Sequence, residues 1–206
     1  MSTPRERLAG ARLYLCTPAC EPALLRAALR GGVDVIQLRD AALDDDGIRR
    51  AAAAFRRAAD EAGALFVLND RPDLAVEVGA DGVHVGQDDL APARARELVG
   101  ADAIVGLSTH GPDQGAAALA DADVDYLSVG PVHPTPTKPG RPATGLSYVR
   151  WAAGHVDRPW FAIGGIDAGT LPGVVAAGAS RAVVVRAITD AADPEAAAAE
   201  LVHGLA

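Results

Sequence analysis

The sequence predicts an α/β fold, a single (β/α)8 TIM barrel spanning residues 1–206, on three observations. Short apolar runs recur along the chain with helix-forming stretches between them. Glycines stand where those helices should stop, and nearly every apolar run is followed by polar residues or glycine. Alternating strands and helices imply right-handed crossovers and a parallel sheet. Eight runs in one domain point to a closed barrel. An open doubly wound sheet is the alternative, but no Gly-x-Gly-x-x-Gly follows the first run. The chain is shorter than the ~250 residues usual for this barrel, so the loops must be short.

The elements follow in order. Strands are expected at Leu13–Cys16, Val33–Leu38, Leu65–Leu68, Gly82–Val85, Ile104–Leu107, Tyr126–Val129, Trp160–Ile163 and Ala182–Val185. Ala-, Leu- and Arg-rich stretches at Pro22–Arg30, Ile48–Ala62, Pro92–Val99, Gln114–Ala120, Leu171–Ala177 and Pro194–Leu205 read as helices. Gly31-Gly32, Gly63, Gly79, Gly100 and Gly178 mark their ends. The segment Asp40–Asp46 is either a loop or the start of the next helix, where Asp44-Asp45-Asp46 would favour the helix dipole.

Composition narrows the function classes. With 19 Lys+Arg against 27 Asp+Glu the net charge is −8, which argues against a general nucleic-acid or membrane-surface role. An anionic ligand must then be held by a local cluster of donors or by a metal. No apolar run is long enough to span a bilayer and no signal-peptide pattern opens the chain, so a cytoplasmic protein acting on small molecules is expected. Cys16 and Cys20 have no second ligand pair nearby, so a packed thiol is a better reading than metal or redox work. Oligomeric state is not legible, and a homo-oligomer stays open.

In a barrel of this kind the loops after the strands build the active face. Those positions read Gln37-Leu-Arg39-Asp40, Asn69-Asp70-Arg71, Gly86-Gln87-Asp88-Asp89, Ser108-Thr109-His110, a proline-rich loop, Gly164-Gly165, and Arg186. The loop Gly130–Gly145 holds five prolines and presents Thr135, Thr137, Lys138 and Arg141. Hydroxyls beside fixed cations suit phosphate or pyrophosphate oxygens, and prolines lower the entropy cost of one loop shape. Asp70 and Asp89 follow neighbouring strands, so one Mg²⁺ could meet both carboxylates, completed by substrate phosphates and water. Otherwise Asp70 serves the Asn-Asp-Arg-Pro turn and Asp89 caps the helix begun at Pro92. Gly164-Gly165 lets backbone N–H groups approach a ligand after strand seven, and Arg186 adds a cation after strand eight. Ser108 and His110 lack an acid partner to orient the histidine, which excludes a hydrolytic triad and leaves Ser108 as a phosphate donor. His84 falls inside a strand, where a satisfied core histidine is expected.

Taken together and in order, Ile36-Gln-Leu-Arg39, Leu68-Asn-Asp70, Gly82–Asp89, Pro134-Thr-Pro-Thr-Lys138 and Ile163-Gly-Gly-Ile166 resemble the thiamine-phosphate synthase family over nearly the whole chain. The resemblance implies a Mg²⁺-dependent transferase. It would join 4-amino-2-methyl-5-hydroxymethylpyrimidine diphosphate to hydroxyethylthiazole phosphate, giving thiamine phosphate and pyrophosphate. It implies pyrimidine contacts for Gln37, Arg39 and Asn69, and metal ligation by Asp70 and Asp89. Ser108 and Lys138 would meet pyrophosphate, with Arg39, Ser108 and Lys138 catalytic. Thr135, Thr137 and Gly165 would hold the thiazole phosphate.

Two positions depart from the family pattern. Ala41 stands where a pyrophosphate-binding lysine is usual, and Arg186 where serine is common. Arg186 remains compatible, gripping the thiazole phosphate through its side chain. Two alternatives share the fold. One is a thiazole tautomerase using His110 for proton transfer; the other is a barrel that binds thiamine phosphate without turnover.

Overall fold

The computed structural model describes residues 3–134 and 142–206, so Thr135, Thr137, Lys138 and Arg141 lie outside the described residues. The elements run α1 (Pro4–Gly10), β1 (Leu13–Thr17), α2 (Pro22–Arg30), β2 (Val35–Leu38), α3 (Asp45–Ala62), β3 (Leu65–Asn69), α4 (Pro72–Ala75), β4 (Gly82–Val85) and α5 (Pro92–Val99). They continue β5 (Ile104–Thr109), α6 (Pro112–Ala120), β6 (Tyr126–Val129), α7 (Gly145–His155), β7 (Trp160–Ile163), α8 (Leu171–Ala176), β8 (Ala182–Val184), α9 (Arg186–Thr189) and α10 (Pro194–Gly204). The eight strands pair in chain order, all parallel, and β8 closes on β1, giving the expected barrel.

Strand alternation sorts the side chains into two layers. Leu15, Ile36, Phe66, Val83 and Val105 point outward and are buried against the helices. Tyr14, Val35, Val67, Ile104, Tyr126 and Phe161 point inward and fill the barrel. Phe161 stands edge-on to both tyrosines, with centroids 5.4 Å from Tyr14 and 5.7 Å from Tyr126. α1 seals the N-terminal end by inserting Leu8, 1% exposed, into that inner layer. Its first turn is a capping box in which Thr3 and Glu6 satisfy each other's backbone N–H groups.

Several boundaries differ from the sequence reading for local reasons. Asp44 is the N-cap of α3, its carboxylate accepting from Gly47 N–H at 2.8 Å, so the acidic run opens the helix rather than forming a loop. Gly63 ends α3 in the left-handed conformation at φ 67°, as its position implied. Beyond Val129 the chain turns back on the barrel rim. Val132 N–H donates to Ile163 O at 2.8 Å, and Thr144 N–H donates to Pro131 O at 2.7 Å. Both ends of the proline-rich loop are thereby fastened beside β7. Among the described residues no helix is long and apolar enough to cross a membrane.

Candidate active site

A cavity of about 270 Å³ opens at the C-terminal ends of the strands. Its wall includes Arg39, Ser108, His110, Gly164, Gly165 and Arg186. These come from the ends of β2, β5, β7 and β8, so five strand-end positions singled out in the sequence, and His110 beside them, converge on one space.

Arg39 is set by its backbone, whose N–H donates to Thr17 O at 2.9 Å and extends the β1–β2 ladder. Asp70, one residue past β3, has φ 58°, an unusual conformation for a residue with a side chain. Its N–H donates to His84 O at 2.9 Å, and the Asn69 amide donates to its carboxylate at 2.5 Å. Burial, and then the adjacent Asp89, push the Asp70 carboxyl up to about 6, against the opposing pull of Arg39 and Asn69. Asp89 accepts from Gly86 N–H at 2.9 Å and so closes a tight turn. It does not cap α5, whose N-cap is Ala91, and Asp70 does not cap α4, whose N-cap is Arg71. Two carboxyl groups are therefore held against each other beside a guanidinium, with neither spent on a helix end.

Gly164 and Gly165 take φ 105° and 62°. A Cβ on Gly164 would lie 2.6 Å from Pro131, and one on Gly165 would lie 2.8 Å from the His133 Cβ. The glycines are thus required by their turn and by the loop packed on it, as well as lying on the cavity wall.

Gln37 is placed differently from the rim position expected. It is 4% exposed inside the barrel, its amide nitrogen donating to the Tyr14 hydroxyl at 2.6 Å and its oxygen accepting from Cys16 Sγ at 3.0 Å. From there a polar chain crosses the interior. Tyr14 and Tyr126 hydroxyls are 3.0 Å apart, Tyr126 lies 2.9 Å from His84 Nδ1, and His84 Nε2 lies 2.9 Å from Ser108 Oγ. His84 is buried and satisfied, as expected of a strand histidine, yet one of its partners is the cavity residue Ser108. Sequence reasoning did not single out Tyr126 or Ser128. The available signal was parity, since Tyr126 and Ser128 alternate with the outward-facing Leu127 and Val129 and so share the inner face of β6. His110 Nδ1 donates to Gly130 O at 2.6 Å, which fixes the ring on the cavity wall.

The family described as thiamine monophosphate synthase matches residues 13–188. The chain belongs to this family. It is 52% identical over 205 residues to a thiamine-phosphate synthase of Acidothermus cellulolyticus, covering 97% of each chain. It is 54% identical to one of Thermobifida fusca, covering 97% of this chain and 94% of that one. Among solved structures, a thiamine phosphate pyrophosphorylase of Pyrococcus furiosus superposes with a TM-score of 0.87 at 30% identity, over 98% and 96% of the two chains. Membership in the thiamine-phosphate synthase family makes this barrel a transferase of thiamine biosynthesis.

Proposed function

We propose that the cavity at the barrel mouth is where pyrimidine diphosphate and thiazole phosphate are joined, with Arg39 and Ser108 facing the pyrophosphate and Gly165 and Arg186 the thiazole phosphate. The observation that carries this reading is the Asp70–Asp89 pair beside Arg39. Burial and the neighbouring Asp89 destabilise the Asp70 anion, a divalent cation between the two carboxyls would relieve it, and hard oxygen ligands suit Mg²⁺. Asp70 and Asp89 would hold the ion, and Mg²⁺ when bound supplies positive charge to phosphate oxygens. Arg39 supports the same charge from the protein side.

The chemistry needs no protein nucleophile. The C–O bond to the diphosphate breaks with its electron pair leaving on pyrophosphate. The thiazole nitrogen then donates its lone pair to the electron-poor methylene carbon, which the pyrimidine amino group stabilises. Arg39 and the Ser108 hydroxyl are aimed at the charge that grows on the leaving group. The barrel aligns the two reactants and excludes the water that would otherwise capture the carbon. Thr135, Thr137 and Lys138 keep the roles their motif implies, as further phosphate donors. Gln37 and Asn69 act on the pyrimidine side, Gln37 from within the barrel. Cytoplasmic placement and small-molecule substrates complete the proposal.

The test supplies both substrates to the purified protein with and without Mg²⁺ and follows thiamine phosphate and pyrophosphate together. Equal, metal-dependent formation of both is expected. No product, with thiazole phosphate still bound, would move the reading to a binding-only barrel or to a tautomerase built on His110, whose ring the cavity wall does contain.

A further inference from the structure

We propose that Tyr126 is a positioning residue: its hydroxyl holds His84 as the Nε2–H tautomer, so that Ser108 accepts from the imidazole and turns its own hydroxyl hydrogen into the cavity. The proposal deepens the synthase reading, since it assigns how the Ser108 donor is aimed at the leaving group.

The direction of the buried chain follows from counting protons. The Gln37 amide nitrogen can only donate, and it donates to Tyr14 Oη at 2.6 Å. Tyr14 has one hydroxyl hydrogen, which then goes to Tyr126 Oη at 3.0 Å. Tyr126 likewise has one, and with its oxygen already accepting, that hydrogen goes to His84 Nδ1 at 2.9 Å. An imidazole accepting at Nδ1 carries its hydrogen on Nε2, which faces Ser108 Oγ at 2.9 Å. Ser128 Oγ also donates to Ser108 Oγ, at 3.4 Å. With its oxygen accepting twice, Ser108 has its own hydrogen left for a ligand on the wall it lines.

The packing keeps this chain in one arrangement. Burial raises the pKa of Tyr14 and of Tyr126, so each retains the proton it must hand on. Across the β5–β6 register Gly106 faces Tyr126, and a Cβ there would lie 2.1 Å from the ring. The glycine makes the space in which the ring lies, and Phe161 closes it edge-on from β7. The Tyr126 hydroxyl is thereby set between two fixed partners.

The test labels the histidines with ¹⁵N and reads the His84 tautomer from long-range ¹H–¹⁵N correlations of the full chain, with His84→Asn giving the assignment. The wild-type protein should show Nε2–H without substrate. Tyr126→Phe should fold, lose that preference and show an appreciable Nδ1–H population. Its kcat should fall roughly three- to tenfold, as expected for one lost hydrogen bond, with both KM values changed less. An Nδ1–H tautomer in the wild type would mean the chain runs the other way, with Ser108 donating to His84, and would overturn the proposal. So would a folded Tyr126→Phe protein with unchanged tautomer and rates. Should that variant not fold, Tyr14→Phe takes its place, since it removes the donor that orients Tyr126 and should mix the tautomers; an unmixed spectrum there overturns the idea. The tautomer is measured without turnover, so failure of the synthase reading would show separately as absent product.

Discussion

Ala41 is the residue whose identity most needs a measurement. It is exposed just past β2, where the Asp40 carboxylate accepts from Ala42 N–H at 3.0 Å and from Ala19 N–H at 3.2 Å. The backbone at this point is held in a turn close to Arg39, and an added side chain meets no packed core. Ala41→Lys is therefore expected to fold normally and to raise kcat/KM for the pyrimidine diphosphate. A charge-assisted contact is worth about 1.5–3 kcal/mol, or roughly ten- to a hundredfold. An unchanged kcat/KM would mean that the other cations already neutralise the leaving group. At Asp70 the sign of the pH effect is fixed by the direction of its shift. The carboxyl titrates at about 6 in the folded protein and near 3.8 as a reference group. Its contribution to stability is thus fully present below about pH 4 and is lost as pH rises through about 6. On the proposed reading Mg²⁺ needs Asp70 ionised, so its apparent affinity should climb through the same window. Thermal melts with and without Mg²⁺ on either side of pH 6 check this. A large metal-induced rise in Tm above pH 6 and little below is expected, and equal shifts at both would contradict it.

At the scale of elements, what was legible depended on how much of each element's cause is local. Strands announced themselves as short apolar runs, and long helices such as α2 and α3 by composition and terminal glycine. α1, α4 and α9 are four to seven residues long, too short to form alone, and exist because the barrel packs them. The strand-end positions that line the cavity were legible because position in the sequence implies position on the barrel rim. The inner chain through Tyr14, Tyr126 and His84 was not, because it depends on register between strands distant in sequence. Gly106 illustrates the point: within β5 it resembles a weak spot, and only its pairing with Tyr126 shows what it does. Gly106→Ala should overpack this layer and destabilise the protein by about 1–3 kcal/mol. For a chain of this size that lowers Tm by about 2–4 °C per kcal/mol. An unchanged melting temperature would show that the ring moves aside without cost, and would weaken the case for a fixed Tyr126.

Across the whole molecule the two ends of the barrel do different work. The N-terminal end is closed by Leu8 and by arginines that cap loop backbone. Arg158 donates to the carbonyls of Asp121 and Val124 at 3.0 and 2.6 Å, and Arg96 pairs with Asp125 at 2.5 Å. The C-terminal end gathers Arg39 and Arg186 around the cavity in a chain whose net charge is −8. On the proposed reading these two cations would meet phosphate oxygens in an otherwise acidic protein. It also separates stability from function in space, and two substitutions test the separation. Leu8→Ala removes a side chain from the sealed end and should cost about 2–5 kcal/mol. Well below the melting temperature its kcat/KM should stay within about twofold, because no lining residue shifts far. Arg186→Ala should do the reverse. Stability should change by about 0.5 kcal/mol or less. The KM for thiazole phosphate should rise more than that for the pyrimidine diphosphate. Urea unfolding and initial-rate kinetics on the two variants decide the matter. Equal effects of Arg186→Ala on both KM values would remove it from the thiazole side. A slowed Leu8→Ala enzyme would show that the sealed end reaches the mouth through the inner layer that Leu8 shares with Tyr14 and Tyr126.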